Sequence, residues 1–550
     1  MSASSKKKLR NEQNAAKMTE RQLEEQKEAK KLKVMTVSFT AVLALILVVA
    51  IAFAAIQFVS NSGIREKNTV AVTLGDTELS NAQLNYYYVD AVYEFVNTYG
   101  AYASMFGLDL TKPLNEQIVN KETGLTWADD FVTSAIANAQ STYALCAEAE
   151  ANGFTLSEEA AAEIENAISS FALYAVMNGF SNSDEYIKAY YGHGASVESF
   201  REYSQKNALA QEYYNHYAST LSYDDAAIRA GEEGKEIEFN NYSYNYYYLN
   251  VNKFLTGGTT DAEGKTTYSD EEKAAAVKAA EEAAKAMTQM EITSVEELDA
   301  AIAALTINAG AETAPKSTAC VDYSYANLTS AAKDWLTNAS RKAGDLGYVE
   351  HATTTTNEDG TETKTVNGYY VVFFQECNDN NFALANVRHI LIAPEGGSYD
   401  ASTGSTTYTA EEKAAAKAKA EALLAEWKAG KASEETFAAL AKEHTTDPGS
   451  KENGGLYEDI YPGQMVTEFN DWCFAEGRKV GDTGIVETTY GCHIMFYSGN
   501  SETTYRNYLI KNTLIDADVQ AWYTALVEAN VATEGNTKFL SKDMILSASK

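Results

Sequence analysis

The spacing of apolar and polar positions changes several times along this chain, and each change marks a predicted element. From Val34 to Ile64 no residue is charged, and Val34 to Val59 is predominantly apolar. As a helix that run reaches about 39 Å, enough to cross a bilayer with some tilt. Residues 69–74 alternate and end at Gly75-Asp76, which predicts a short strand and a turn. Residues 78–231 read mainly as helices. Ser80-Asn81-Ala82-Gln83 supplies a cap for the first and Ser157 opens another, while Ser183–Tyr191 and Ser196–Thr220 carry Tyr, Phe and Leu at helical spacing. Far downstream, residues 505–530 form a lone amphipathic helix with Tyr505, Leu509, Leu514, Val519, Trp522 and Leu526 as its apolar positions. Such a stripe has to be buried, and it is expected to pack back onto the N-terminal helical domain.

Between these regions an internal repeat stands out. Tyr268-Ser-Asp-Glu-Glu-Lys-Ala-Ala-Ala is echoed by Tyr408-Thr-Ala-Glu-Glu-Lys-Ala-Ala-Ala. Asp334-Trp335 with Arg341-Lys342-Ala343-Gly344-Asp345 is echoed by Asp471-Trp472 with Arg478-Lys479-Val480-Gly481-Asp482. Gly368–Phe374 is echoed by Gly491–Tyr497, and Tyr246–Val251 by Val387–Ile392, which sets Tyr248 against His389. Residues 236–378 and 384–499 therefore read as two copies of one unit: a strand, a long Ala/Glu/Lys helix, a helical middle and two closing strands.

Composition narrows the function. A chain of 550 residues needs several cores, and 45% hydrophobic residues suffice to build them. A net charge of −33 argues against nucleic acid as a partner. The charge is uneven. Residues 1–33 hold ten Lys/Arg against five Glu, so the basic flank is cytoplasmic and the chain after about Asn61 lies outside. The apolar run is too long, and begins too late, for a typical cleaved signal peptide, which makes 34–60 a signal anchor. The 36 tyrosines serve either as packing or as a sticky surface for unfolded clients. Five cysteines (Cys146, Cys320, Cys377, Cys473, Cys492) show no metal-ligand grouping. They read as small, mostly buried residues, with Cys473 and Cys492 as the pair open to bridging.

The second copy resembles the parvulin family, the class found in PrsA- and SurA-like foldases. The residues that carry the likeness are Val387-Arg388-His389-Ile390-Leu391-Ile392, Thr446-Asp447-Pro448-Gly449-Ser450, Asn453-Gly454-Gly455-Leu456, Gly463-Gln464-Met465, Phe469 and Tyr490-Gly491-Cys492-His493-Ile494. The resemblance implies an antiparallel sheet with an active site across its face. His389 and His493 would form a cross-sheet pair and Asp447 would join them as the catalytic set. Leu456, Met465 and Phe469 would line a proline-ring pocket. No cofactor and no metal is implied; a metal site built from His389, His493 and Asp447 would need a further ligand that nothing recruits.

The implied reaction is cis/trans isomerisation of X-Pro bonds. Rotation meets a barrier of about 18–20 kcal/mol because twisting destroys amide resonance. No bond breaks, so the catalyst has only to bind the twisted amide better than the planar one. The first copy departs from the pattern: Tyr248 and Tyr370 stand for the histidines, Leu328 for Met465 and Ala332 for Phe469. It is expected to be inactive, with a role in spacing or client binding. The loop 393–410 of the second copy has no Lys or Arg, so phosphate selectivity is not expected.

The expected architecture is α+β. It comprises a cytoplasmic basic helix (1–33), a transmembrane anchor (34–60), a helical chaperone-like domain (65–235), a degenerate parvulin-like domain (236–378), an isomerase domain (384–499) and a C-terminal helical segment (500–550). Its partners would be unfolded or partly folded secreted polypeptides, and the membrane through the N-terminal helix. The competing reading is a non-enzymatic holdase or assembly scaffold.

Overall fold

The computed structural model describes residues 4–5, 63–357, 359–400 and 405–546. The expected transmembrane anchor lies outside them, as does the cytoplasmic helix apart from Ser4 and Ser5. Among the described residues no helix is long and apolar enough to cross a membrane. The chain is mixed helix and sheet with small antiparallel sheets, and it divides into two compact units. Among the described residues, one comprises 63–223 with 513–546 and the other lies within 224–512.

The first unit is helical. Its helices begin where short polar side chains cap them. Ser80 and Gln83 form a capping box before Asn81–Tyr99, Thr126 and Asp129 before Trp127–Ala151, and Ser196 and Ser199 before Val197–Thr220. Ser157 and Asn182 cap Glu158–Met177 and Ser183–Tyr191. Many of the tyrosines are core: Tyr86, Tyr88, Tyr186 and Tyr191 are fully buried. The strand Val70–Leu74 pairs with Thr77–Ser80 on one side and with Ala532–Glu534 from the chain's far end on the other. The long helix Tyr505–Ala529 belongs to both units. From Thr513 onward it packs in the helical unit, where Trp522 stacks on Tyr217 with ring centroids 3.8 Å apart and Tyr223 donates to Asp518. Its first turns differ from the expectation: Tyr505 stacks on Tyr461 of the second copy, at 4.9 Å.

The other unit holds the two copies, and each builds the same four-stranded sheet. In the first, the order is edge strand Thr318–Ser324, opening strand Asn241–Asn250, inner closing strand Glu362–Asn378 and outer closing strand Leu346–Thr356. In the second it is Leu456–Ile460, Ala383–Ile392, Gly491–Thr504 and Thr483–Thr488. The repeated residues make repeated contacts. Arg341 lies over Trp335 at 4.1 Å and Arg478 over Trp472 at 3.9 Å. Gly344 and Gly481 donate to the carbonyls of Phe374 and Tyr497. Alternating strand residues serve two cores. In the second copy Ile390, Ile392, Cys492, Ile494 and Phe496 pack under the helices Ala410–Ala429 and Glu434–His444, while Val387, Met495 and Tyr497 face the helix Thr467–Cys473.

Arg506 closes the junction of the copies. Its guanidinium donates to the Asn240 side chain (2.8 Å) and to the carbonyls of Glu236 (2.7 Å) and Asp379 (2.8 Å), and pairs with Glu232. Asn380, buried between the copies at φ 58°, donates to the Phe239 carbonyl.

All five cysteines are free. Cys473 and Cys492 cannot bridge because they belong to the cores on opposite faces of the sheet.

Candidate active site

The site forms where the opening and inner closing strands of the second copy lie side by side. Their register sets His389 opposite Met495 and His493 opposite Leu391, so the two histidines are diagonal neighbours on one face. Their rings stack with centroids 5.2 Å apart and meet through Nδ1 atoms at 3.0 Å. Both are buried. His389 Nε2 reaches Asp447 Oδ2 at 2.9 Å and Ser450 Oγ at 3.0 Å. The Ser450 hydroxyl in turn donates to Asp447 over a very short bond, and Tyr457 donates to the same Oδ2 at 3.1 Å. At the other end, His493 Nε2 meets Thr488 Oγ1 at 2.8 Å.

The charges follow from these partners. The hydrogen bond from His389 holds the Asp447 carboxyl far below its ordinary range, against the opposing effect of burial. Burial pushes His493 down to about 3, with the charge of His389 acting in the same direction and Asp447 opposing. Asp447 is therefore an acceptor only, and His493 is neutral at ordinary pH. His389 carries a proton on Nε2, toward Asp447, and a single proton lies between the two Nδ1 atoms. Every ring nitrogen has a partner.

Local chain geometry builds this network. Gly454 and Gly455 both take positive φ (74° and 76°), and a Cβ on Gly455 would lie 2.2 Å from the His389 carbonyl oxygen. Gly455 instead accepts from the His389 amide at 2.8 Å. Arg388 holds the same loop, donating to the carbonyls of Asn453 and Gly454 while paired with Glu434. The Thr445 hydroxyl accepts from the amides of Leu391 and Asp447, which seats the acidic loop against the strand.

An apolar wall adjoins the imidazoles. The Phe469 ring stands nearly perpendicular to both, with centroids 5.5 Å from His389 and 5.4 Å from His493, and Met465 packs in the same cluster. Leu456 does not join them. It lies opposite Arg388, on the helix side of the sheet, whereas its neighbour Tyr457 lies opposite Val387 on the histidine side. The Tyr457 ring is 5.2 Å from His389. The wall is therefore Met465, Phe469 and Tyr457, with Leu456 replaced. A strand's two-residue period makes adjacent positions face opposite ways, and the Gly-Gly turn hides the phase.

Comparison with known proteins matches residues 369–497 to the PPIC-type PPIASE domain. The chain carries a parvulin-type peptidyl-prolyl isomerase domain. Foldase protein PrsA 1 of Listeria monocytogenes serotype 4b is 34% identical over 112 residues, which cover 20% of this chain and 34% of that protein. Foldase protein PrsA 4 of Bacillus cereus is 42% identical over 69 residues, covering 12% and 24%. The chain thus spans about a third or less of the length of these curated relatives. Among solved structures, the peptidylprolyl isomerase PrsA from Bacillus anthracis aligns over 28% of this chain and 60% of its own, at 21% identity and a TM-score of 0.17.

The parvulin domain has polar site members that the sequence reading left out. Ser450 lay within a quoted motif without a role, and Thr488 and Tyr457 carried no signal, since a lone Thr or Tyr in a strand is common. The first copy also needs one correction. Its closing strand matches residue for residue, but cross-strand register puts Tyr246, opposite Val372, at the place of His389 opposite Met495. Tyr248 corresponds to Leu391, two residues on, which preserves the face. Tyr370 does stand at the place of His493, and His351 at that of Thr488. The slot is filled as well. Ala332 replaces Phe469, and the space is taken from the sheet side by buried Tyr244, which stands where Val387 does and bonds Thr329.

Proposed function

We propose that the chain is a membrane-anchored, extracytoplasmic foldase that isomerises X-Pro bonds in secreted polypeptides. The reaction would take place in the second copy. The observation that carries this reading is the contact of one aromatic ring, Phe469, with both members of a hydrogen-bonded imidazole pair. Phe469, Met465 and Tyr457 grip the proline ring, and the hydrogen-bonded His389–His493 pair with ionised Asp447 presents a fixed field to the rotating amide. The site needs no nucleophile, since lowering the barrier by roughly 5–7 kcal/mol already gives about 10⁴–10⁵-fold.

The first copy is a non-catalytic module, supported by tyrosines in place of the histidines and by Tyr244 in the slot. The helical unit is a client-holding chaperone domain. Residues 34–60 anchor the protein with its N-terminus in the cytoplasm. The test is isomerisation of a proline-containing peptide by the full chain. A rate equal to the uncatalysed one would leave the holdase reading.

A further inference from the structure

We propose that Tyr457 is a catalytic residue, whose hydroxyl leaves Asp447 and donates to the prolyl nitrogen of the twisted bond; this rests on the isomerase reading above. Asp447 Oδ2 is a crowded oxygen. It receives three donors, His389 Nε2 at 2.9 Å, the Ser450 hydroxyl over a shorter bond and the Tyr457 hydroxyl at 3.1 Å. A carboxylate oxygen offers two lone pairs, so one donor is surplus. The other oxygen accepts from the Gly449 amide at 3.3 Å. His389 and Ser450 are both buried, and they bond each other as well as Asp447. Tyr457 makes the longest of the three bonds, from a half-buried position on an edge strand. It is the donor that can be redirected at least cost.

The hydroxyl also stands at the right place. Tyr457 flanks His389 at 5.2 Å, Phe469 lies 5.5 Å from the same imidazole, and both belong to the apolar wall. A proline ring held by this wall brings its amide beside the Tyr457 oxygen. In the planar amide the nitrogen lone pair is delocalised and accepts nothing. Twisting localises it, so a hydrogen bond from Tyr457 exists only near the transition state and lowers the barrier without tightening ground-state binding. Asp447 keeps His389 and Ser450 throughout.

The test is steady-state isomerisation of a proline-containing tetrapeptide by the full chain, with imidazole NMR of His389 and His493 recorded in parallel. Tyr457→Phe keeps the ring and removes the donor. It should lower kcat about tenfold with KM unchanged and the imidazole resonances in place. Tyr457→Leu should lower kcat similarly and also raise KM, because the wall is cut back. A Tyr457→Phe enzyme within about twofold of wild-type kcat overturns the proposal. So does a fall in kcat accompanied by displaced imidazole resonances, which would mean that the hydroxyl serves Asp447 alone. A wild-type chain without activity would instead remove the isomerase reading itself.

Discussion

His389 and His493 touch through their Nδ1 atoms at 3.0 Å although neither is the other's cross-strand partner. The diagonal contact leaves each outer nitrogen free to take a different partner, Asp447 for one and Thr488 for the other. A chain of polar groups thus crosses the sheet face from the acidic loop to the outer closing strand, with the Phe469 ring resting against its centre.

That double contact makes Phe469 the most sensitive position of the apolar wall. Phe469→Ala should lower kcat/KM at least tenfold while circular dichroism shows a folded protein. The first copy already tolerates alanine at the equivalent Ala332, but there Tyr244 fills the space, whereas Val387 cannot.

The pH dependence of stability follows from His493. Its folded pKa, about 3, lies below the ordinary 6.5, so between these values the unfolded chain binds a proton that the folded site refuses. Stability should fall as pH drops from about 6.5 toward 3, by up to about 1.4 kcal/mol per pH unit from this one group. Asp447 acts lower on the scale. Its depressed pKa contributes stability that is present above the unfolded value of about 3.9 and is lost as pH falls through the folded one. Denaturant titrations between pH 7 and 4 should show the slope, and His493→Gln should flatten it.

Gly455→Ala should unfold the second copy. The added Cβ would strike the His389 carbonyl at 2.2 Å from a backbone already at positive φ. A cost of at least about 3 kcal/mol is expected, read as a lowered midpoint in thermal melts.

Arg506→Ala tests the junction between the copies. Removing the guanidinium strips the Glu232 carboxylate of its partner and returns the carbonyls of Glu236 and Asp379 to water, which costs roughly 1–2 kcal/mol of local stability. Limited proteolysis within residues 378–383 should accelerate by more than about tenfold, with tetrapeptide isomerisation unchanged.

Much of this was legible before any coordinates. The caps at Ser80, Ser157 and Ser196 mark helix starts because a short side chain accepting from a backbone amide is a local event. The tandem copies were visible because the Trp–Arg and Gly–Asp pairs that fold the closing hairpin recur in order. What escaped depends on phase and register, which a sequence does not display. Leu456 and Tyr457 differ by a single step along a strand that follows two glycines, and Tyr246 and Tyr248 lie on one face, so apolar spacing cannot choose between them. Thr488 and Ser450 became site residues only when the loop and strand were brought together by Thr445 and Arg388.

The rate at which the full chain isomerises a proline-containing tetrapeptide, measured for wild type and for Phe469→Ala, decides whether this pocket is an isomerase site. Wild type should accelerate the reaction well above the uncatalysed rate, and the variant should lose at least tenfold. Wild type at the uncatalysed rate, or a folded variant as fast as wild type, would contradict that assignment.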